Sequence, residues 1–259
     1  MALTVERLQQ VMPRVVTALS DVARELDLRN DELLAALAFL GEVGRADETI
    51  LLSDVLGLSR QVDDQTHLAN AGTPSNVLGP FYRPGAPWID NPGSIVGGGT
   101  PGSRITVSGH ISDAISGAPV RDAIVDVWHA NEDGVYSNED AALDPWDLRG
   151  RQQVDMDGHY AFETVTPLHY TVKHDGPVGQ LLAALGRHPW RPAHIHYLVT
   201  AEGYQPLVTQ VYIAGGPYLE DDAISGVKGE LVVAIADDRL PFDIALVALP
   251  RAAVKDAPA

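Results

Sequence analysis

The apolar residues of this chain change their spacing once, near Thr66, and that change dictates a two-part architecture. Ahead of it they recur at helical intervals, as in Leu8, Val11, Val15, Leu19 and Val22, then Leu33, Leu34, Leu37 and Leu40, then Leu51, Val55, Leu58 and Val62. Side chains at these intervals line one face of a helix, so three helices are expected between Leu3 and about Val62. Asn30, standing before Asp31 and Glu32, is expected to cap the second helix, and Gly41 and Gly44 to end it. Beyond Arg104 the period becomes two, as in Ile105/Val107, Ala123/Val125/Val127, Tyr160/Phe162 and Val208/Gln210/Tyr212, with further apolar stretches at 231–235 and 244–249. Short strands parted by Gly, Pro and Asp turns fit a β-sandwich or barrel, with one helical interruption at 178–185 behind Pro177. Between the halves, Gly72, Pro74, Gly79, Pro80, Pro84, Gly85, Pro87, Pro92 and Gly97-Gly98-Gly99 disfavour any helix. The expected organisation is α+β: a helical domain over residues 1–70, a linker to about 103, and a mainly antiparallel β-sandwich over 104–259.

Composition narrows the chemistry. With 259 residues, 45% of them hydrophobic, the chain can bury a substantial core. Eighteen Lys and Arg against 35 Asp and Glu leave a net charge of −17, which repels phosphate backbones and anionic headgroups, so no nucleic-acid partner is expected. There is no cysteine, so disulfides, thiolate nucleophiles and cysteine-held zinc or iron-sulfur clusters are excluded. Any metal must be held by His, Tyr or carboxylates. Glu6, Arg7 and Arg14 interrupt a leader-like apolar core, and no apolar run approaches the roughly 20 residues that span a bilayer. No membrane insertion and a cytoplasmic location are expected.

The sharpest local signal is His194-Ile195-His196. Residues two apart on a strand share a face, so the two imidazoles stand side by side, while Ile195, Tyr197 and Val199 make the other face apolar. Such a pair can bind a metal or simply face solvent. Tyr136, after Asp133-Gly134-Val135, and Tyr170, after Pro167, occupy turn-like settings, but spacing alone does not separate them from ordinary packing tyrosines. A zinc hydrolase using Asp126 or Asp133 as a third ligand, and a metal-free β-sandwich binding module, both remain open on the residues alone.

Longer motifs go further. Asn76-Val77-Leu78-Gly79-Pro80-Phe81-Tyr82, Val127-Trp128-His129-Ala130-Asn131 running into Gly134-Val135-Tyr136-Ser137, Asp175-Gly176-Pro177-Val178-Gly179-Gln180-Leu181 and Gly186-Arg187-His188-Pro189-Trp190-Arg191-Pro192-Ala193-His194-Ile195-His196 occur in that order. In these stretches the chain resembles the intradiol ring-cleavage dioxygenases of the catechol 1,2-dioxygenase group. The resemblance implies one non-haem Fe(III) per chain, held by Tyr136, Tyr170, His194 and His196. It implies catalytic roles for Arg191 and Gln210, and for Tyr170 as the phenol that leaves the metal when substrate arrives. It places Val77, Pro80 and Phe81 at the substrate ring. The expected substrates are a small aromatic diol and O2, and the product a muconate-type dicarboxylate. The helical portion resembles that group's dimerisation domain, which implies a homodimer and allows a lipid bound at its interface.

Leu52-Ser53-Asp54-Val55-Leu56-Gly57, Leu148-Arg149-Gly150-Arg151 and Gly226-Val227-Lys228 are more similar to hydroxyquinol 1,2-dioxygenases than to plain catechol enzymes, with chlorocatechol enzymes next. Asp63, near the end of the third expected helix, is expected to reach the pocket and accept a hydrogen bond from a third ring hydroxyl.

Overall fold

The computed structural model describes residues 4–67 and 72–250. Leu3 of the first expected helix, 68–71 at the start of the linker and 251–259 of the expected sandwich lie outside the described residues. The chain divides into two compact units, Met1–Glu48 and Thr49–Ala259.

The first unit contains α1 (Val5–Glu25) and α2 (Asn30–Arg45). The Thr4 hydroxyl accepts the Arg7 N–H at 3.2 Å and so closes the first turn of α1. At α2 the cap is Arg29 rather than Asn30, because Glu32 reaches back to accept the Arg29 N–H at 2.9 Å. Gly41 and Gly44 do not end this helix, which runs through both to Arg45. Each glycine costs only about 1 kcal/mol relative to alanine, too little to interrupt a run of hydrogen-bonded turns.

The second unit opens with α3 (Thr49–Val55) and α4 (Leu58–His67), where the sequence pattern predicts a single helix. The break falls at Gly57, whose φ of +74° is readily adopted only by glycine. Strands follow as β1 (Gly93–Ser94), β2 (Arg104–Asp113), β3 (Ile124–Trp128), β4 (Arg149–Gln153), β5 (His159–Val165) and β6 (Tyr170–Thr171). After α5 (Pro177–Ala184) come β7 (Trp190–Arg191), β8 (His194–Thr200), β9 (Leu207–Ile213), β10 (Val232–Val233), β11 (Arg239–Pro241) and β12 (Ile244–Leu246). The helix behind Pro177 is therefore where the sequence predicts it. Among the described residues no helix is long and apolar enough to cross a membrane.

One five-stranded sheet has the order β1-β5-β2-β11, with β12 also on β2, and the other the order β10-β9-β8-β3-β4. Their long strands pair antiparallel, as expected, but the sheets are mixed: β1 on β5, β11 and β12 on β2, and β10 on β9 are parallel. The parallel additions are two or three residues long and arrive through loops, so no tight hairpin fixes their direction and no periodicity announces them.

The two sheets share one apolar core, with Val107, Ile111 and Phe162 from one and Val125, Val127, Ile195, Tyr197, Val199 and Val211 from the other. Burying each such side chain contributes about 1.5–3 kcal/mol, so a one-residue slip of β8 would cost several kcal/mol. That cost holds His194 and His196 on the opposite face of the sheet.

Asp126 of β3 shares that opposite face with Trp128. Burial pushes its carboxyl up to about 6, against the opposing pull of the Tyr82 hydroxyl at 3.4 Å and of Arg151 and Arg149. The folded chain thus binds this proton more tightly than the unfolded one, whose carboxyl titrates near 3.9, about the usual aspartate value. The stabilising contribution is full below that pH and is lost as pH rises through about 6. Urea unfolding from pH 4 to 7 should show Asp126→Asn gaining stability relative to the parent as pH rises across this window. A difference between the two proteins that stays constant with pH would contradict the assignment.

Candidate metal centre and substrate pocket

Strand register sets out the floor of the site. Trp128 of β3 lies opposite His196 of β8, which lies opposite Gln210 of β9, and His194 lies opposite Tyr212. The Trp128 and His196 rings stack at 4.9 Å and 8°. Nε2 of His194 and Nε2 of His196 are 3.1 Å apart.

Two loops bring the phenols to these nitrogens. After β3 the Asn131 side chain accepts the N–H groups of Asp133 and Val135, and the Glu139 carboxylate accepts that of Tyr136 at 2.9 Å, which fixes the turn. Gly134 in this turn has φ +77°, and a Cβ there would lie 2.5 Å from the Cβ of Tyr170. Only glycine lets the two tyrosine-bearing segments come this close. Tyr170 itself is registered opposite Arg191 in the β6–β7 pair.

The Tyr136 and Tyr170 hydroxyls are 3.1 Å apart. Ring centroids are separated by 5.6 Å from Tyr136 to Tyr170, 5.5 Å on to His194, 4.8 Å to His196 and 6.2 Å back to Tyr136. The four expected ligands therefore form a closed ring of neighbours, all of them buried.

Burial governs their charge states. It raises Tyr136 well above the usual phenol range, with Tyr170 adding to the effect, and raises Tyr170 against the opposing charge of Arg191. It lowers both histidines well below the usual range, and Arg191 lowers them further. Nδ1 of His194 lies 2.7 Å from the Pro192 carbonyl, which fixes its proton on Nδ1 and turns the Nε2 lone pair inward.

Arg191 and Gln210 are brought to the same place. The buried guanidinium donates from Nε to Asp222 Oδ1 at 3.1 Å, from Nη1 to His194 Nε2 at 2.9 Å, and from Nη2 to Gln210 Oε1 at 3.0 Å and the Tyr212 hydroxyl at 3.2 Å. Gln210 is held in turn by donating to the Val77 carbonyl at 2.9 Å and accepting from Tyr212 at 2.7 Å. Removing one partner of a buried ion pair costs about 3–5 kcal/mol, so Asp222 is integral to the arrangement. In the sequence it ends Glu220-Asp221-Asp222, which reads as a solvated acidic run.

The expected pocket residues divide. Phe81 stacks on Tyr136 at 4.3 Å and 18°, and Val77 is tied to Gln210, whereas Pro80 is exposed beside them. Asp63 accepts from Ser75 at 2.8 Å and from Lys228 at 3.0 Å. Asp54 is buried: burial raises its carboxyl, and a hydrogen bond from Ser59 and the charge of Arg191 act against this. It thus lies within electrostatic reach of Arg191, a placement the sequence pattern did not single out.

On the Tyr170 side a cavity of about 640 Å³ is lined by Asp133, Gly134, Leu168, Tyr170 and Trp190 among others. Among the described residues no group of three His, Asp, Glu or Cys side chains stands ready for a metal, so neither Asp126 nor Asp133 completes a zinc triad with the histidines.

The chain is a dioxygenase: residues 77–243 match the family model described as dioxygenase, and residues 6–73 the one described as catechol dioxygenase N terminus. It is 41% identical to a hydroxyquinol 1,2-dioxygenase of Rhizobium sp. (strain MTP-10005) over 233 residues, covering 87% of this chain and 78% of that protein. It is 41% identical to an intradiol ring-cleavage dioxygenase of Aspergillus niger over 236 residues, covering 89% and 71%. The solved structure of hydroxyquinol 1,2-dioxygenase from Pseudomonas putida DLL-E4 superimposes with a TM-score of 0.89 at 34% identity, covering 94% of this chain and 93% of that one. The chain belongs to the intradiol ring-cleavage dioxygenase family, and it is an enzyme of intradiol cleavage.

Proposed function

We propose that Tyr136, Tyr170, His194 and His196 hold one non-haem Fe(III), and that the enzyme uses O2 to open a catechol-type ring between its two hydroxylated carbons. On this reading hydroxyquinol gives maleylacetate and catechol gives cis,cis-muconate. The observation that carries it is the buried ring of four donors, with the two inward-facing Nε2 atoms 3.1 Å apart and the two hydroxyls 3.1 Å apart. The donor set suits the ion: phenolates are hard anions that favour ferric iron, and neutral imidazoles complete the set. Phenols with a free pKa of about 10, raised further by burial, ionise only against a strong Lewis acid.

When bound, ferric iron would supply the Lewis acidity that ionises the diol and opens its ring to attack by O2. The protein's part is positioning and proton transfer. Tyr170, beside the 640 Å³ cavity, is the phenol that leaves and takes up a proton from the arriving diol. Arg191, fixed by Asp222, stabilises negative charge on the diol in a dry site where such a cation acts strongly. Gln210, fixed by Val77 and Tyr212, orients the group beside it. Phe81, Val77 and Pro80 supply the slot for the ring.

Hydroxyquinol is favoured as substrate by the relatives of that name, with chlorocatechol as the alternative. The exposed apolar residues of α1 and α2, among them Leu19, Leu33, Leu34 and Leu37, support a homodimer formed through these helices, and the same surface would accommodate a lipid chain.

Aerobically purified protein should show a visible tyrosinate-to-ferric absorption that shifts when hydroxyquinol is added without oxygen. A colourless protein with stoichiometric metal would remove the ferric tyrosinate site. For diol selection, Asp63→Ala should lower turnover of hydroxyquinol relative to catechol. An unchanged ratio would take Asp63 out of diol selection. Light scattering at micromolar concentration should give twice the chain mass, and a monomer mass would end the dimer proposal.

A further inference from the structure

Arg149 lies in the Leu148-Arg149-Gly150-Arg151 stretch and has no part in the chemistry described so far. It opens β4 directly opposite Trp128, which puts it on the same face of the sheet as the histidines. The residue is only 3% exposed, and each of its three guanidinium nitrogens donates: Nε to Ser137 Oγ, Nη1 to the Phe81 carbonyl and Nη2 to Asn138 Oδ1, each at 2.7 Å. Ser137 and Asn138 directly follow Tyr136, and Phe81 is the residue whose ring stacks on Tyr136. Its guanidinium carbon stands 5.7 Å from the centroid of the Tyr136 ring. One side chain therefore ties together the two segments that hold the Tyr136 ring.

A buried guanidinium is costly unless an anion compensates it. Arg191 has Asp222 for this, at 3.1 Å. Arg149 makes no such close pair: of the acidic groups within reach of its charge, the Tyr136 phenol acts on it most strongly, ahead of the more distant Asp126 and Glu139 carboxylates. Tyr170 is held differently: it meets Tyr136 edge-on at 81° and borders a cavity.

We propose that Arg149 is a positioning residue for Tyr136: it ties the Phe81 segment that stacks on the ring to the Ser137-Asn138 segment that follows it, and sets a positive charge beside the phenolate. This rests on the ferric reading above. Arg149 acts through Tyr136 and touches neither substrate nor O2.

The test compares iron-loaded wild type, Arg149→Gln and Arg149→Lys by visible spectrum, with and without hydroxyquinol under anaerobic conditions. Midpoint potential and iron retention against a chelator complete the set. In Arg149→Gln the charge-transfer band should move to longer wavelength, since loss of the cation raises the phenolate's donor level. The potential should fall, and iron affinity should drop by about 10–100-fold, the usual cost of losing a partner of a metal ligand. Arg149→Lys, which restores charge without the fork, should recover the potential and leave the affinity low. Unchanged band and potential in Arg149→Gln, even with a lower melting temperature, would reduce Arg149 to a structural residue and overturn the inference. If that variant does not fold, Asn138→Ala removes one acceptor at an exposed position. A shifted band there supports the inference and an unshifted one overturns it. Iron-loaded wild type without any tyrosinate band would instead overturn the ferric reading itself, and this inference with it.

Discussion

The alternation of side chains along β8 is the constraint on which the site depends. Ile195, Tyr197 and Val199 are fully buried in the core between the sheets, and their burial leaves His194 and His196 no choice of face. Pairing with β3 and β9 then adds Trp128, Gln210 and Tyr212 on that same face, in fixed rows. The apolar core thus does more than stabilise the fold, because the energy that prevents a slip in register also sets the spacing of the two imidazoles. Tyr136 comes from a loop, where no such ladder acts and the side chains of Asn131 and Glu139 secure it, and Tyr170 from the two-residue strand β6, held only by its short pairing with β7.

Desolvation is the second organising force. The same burial that keeps both phenols protonated keeps both imidazoles neutral, so four neutral donors face one another. Two buried arginines flank this ring, one held by a carboxylate and the other by neutral oxygens. In a medium of low dielectric constant this asymmetry matters, because a positive charge without a close carboxylate favours a nearby negative one far more than it would in water.

What could be read in the sequence follows from which interactions are local. Helical periodicity showed α1 and α2, period-two alternation showed the long strands, and Pro177 marked α5. The break at Gly57 was hidden because apolar spacing continues across it from Val55 to Leu58 and Val62. The two- and three-residue parallel strands carry no period at all. Within the site, the His-x-His pair was legible from strand geometry, but the two tyrosines emerged only through resemblance, since a loop tyrosine has no local signature. Asp222 is masked by its acidic neighbours, and nothing local sets the buried Asp54 apart from Asp63, which Lys228 and Ser75 engage.

Those last residues belong to a longer connection. Arg60 of α4 donates to the Ser225 and Val227 carbonyls, Lys228 bonds Asp63 and Asp64, and Asn76 donates to the Gly226 carbonyl. The turn so clamped begins at Asp222, which accepts the Gly226 N–H at 2.9 Å while holding Arg191. A Cβ on Gly226 would stand about 3 Å from Tyr212, Asp222 and Arg191 at once, so the turn packs directly on the guanidinium. Position is thereby transmitted from helix α4 to the arginine beside the histidines through side-chain hydrogen bonds and ion pairs. Asp63 can matter to the chemistry by this route as well as by direct contact, because loosening Lys228 loosens the turn that fixes Asp222. A residue at one remove from the ring acts on every diol alike, whereas a residue that bonds a third hydroxyl acts on hydroxyquinol alone, and the two roles are separated by substrate preference rather than by loss of rate.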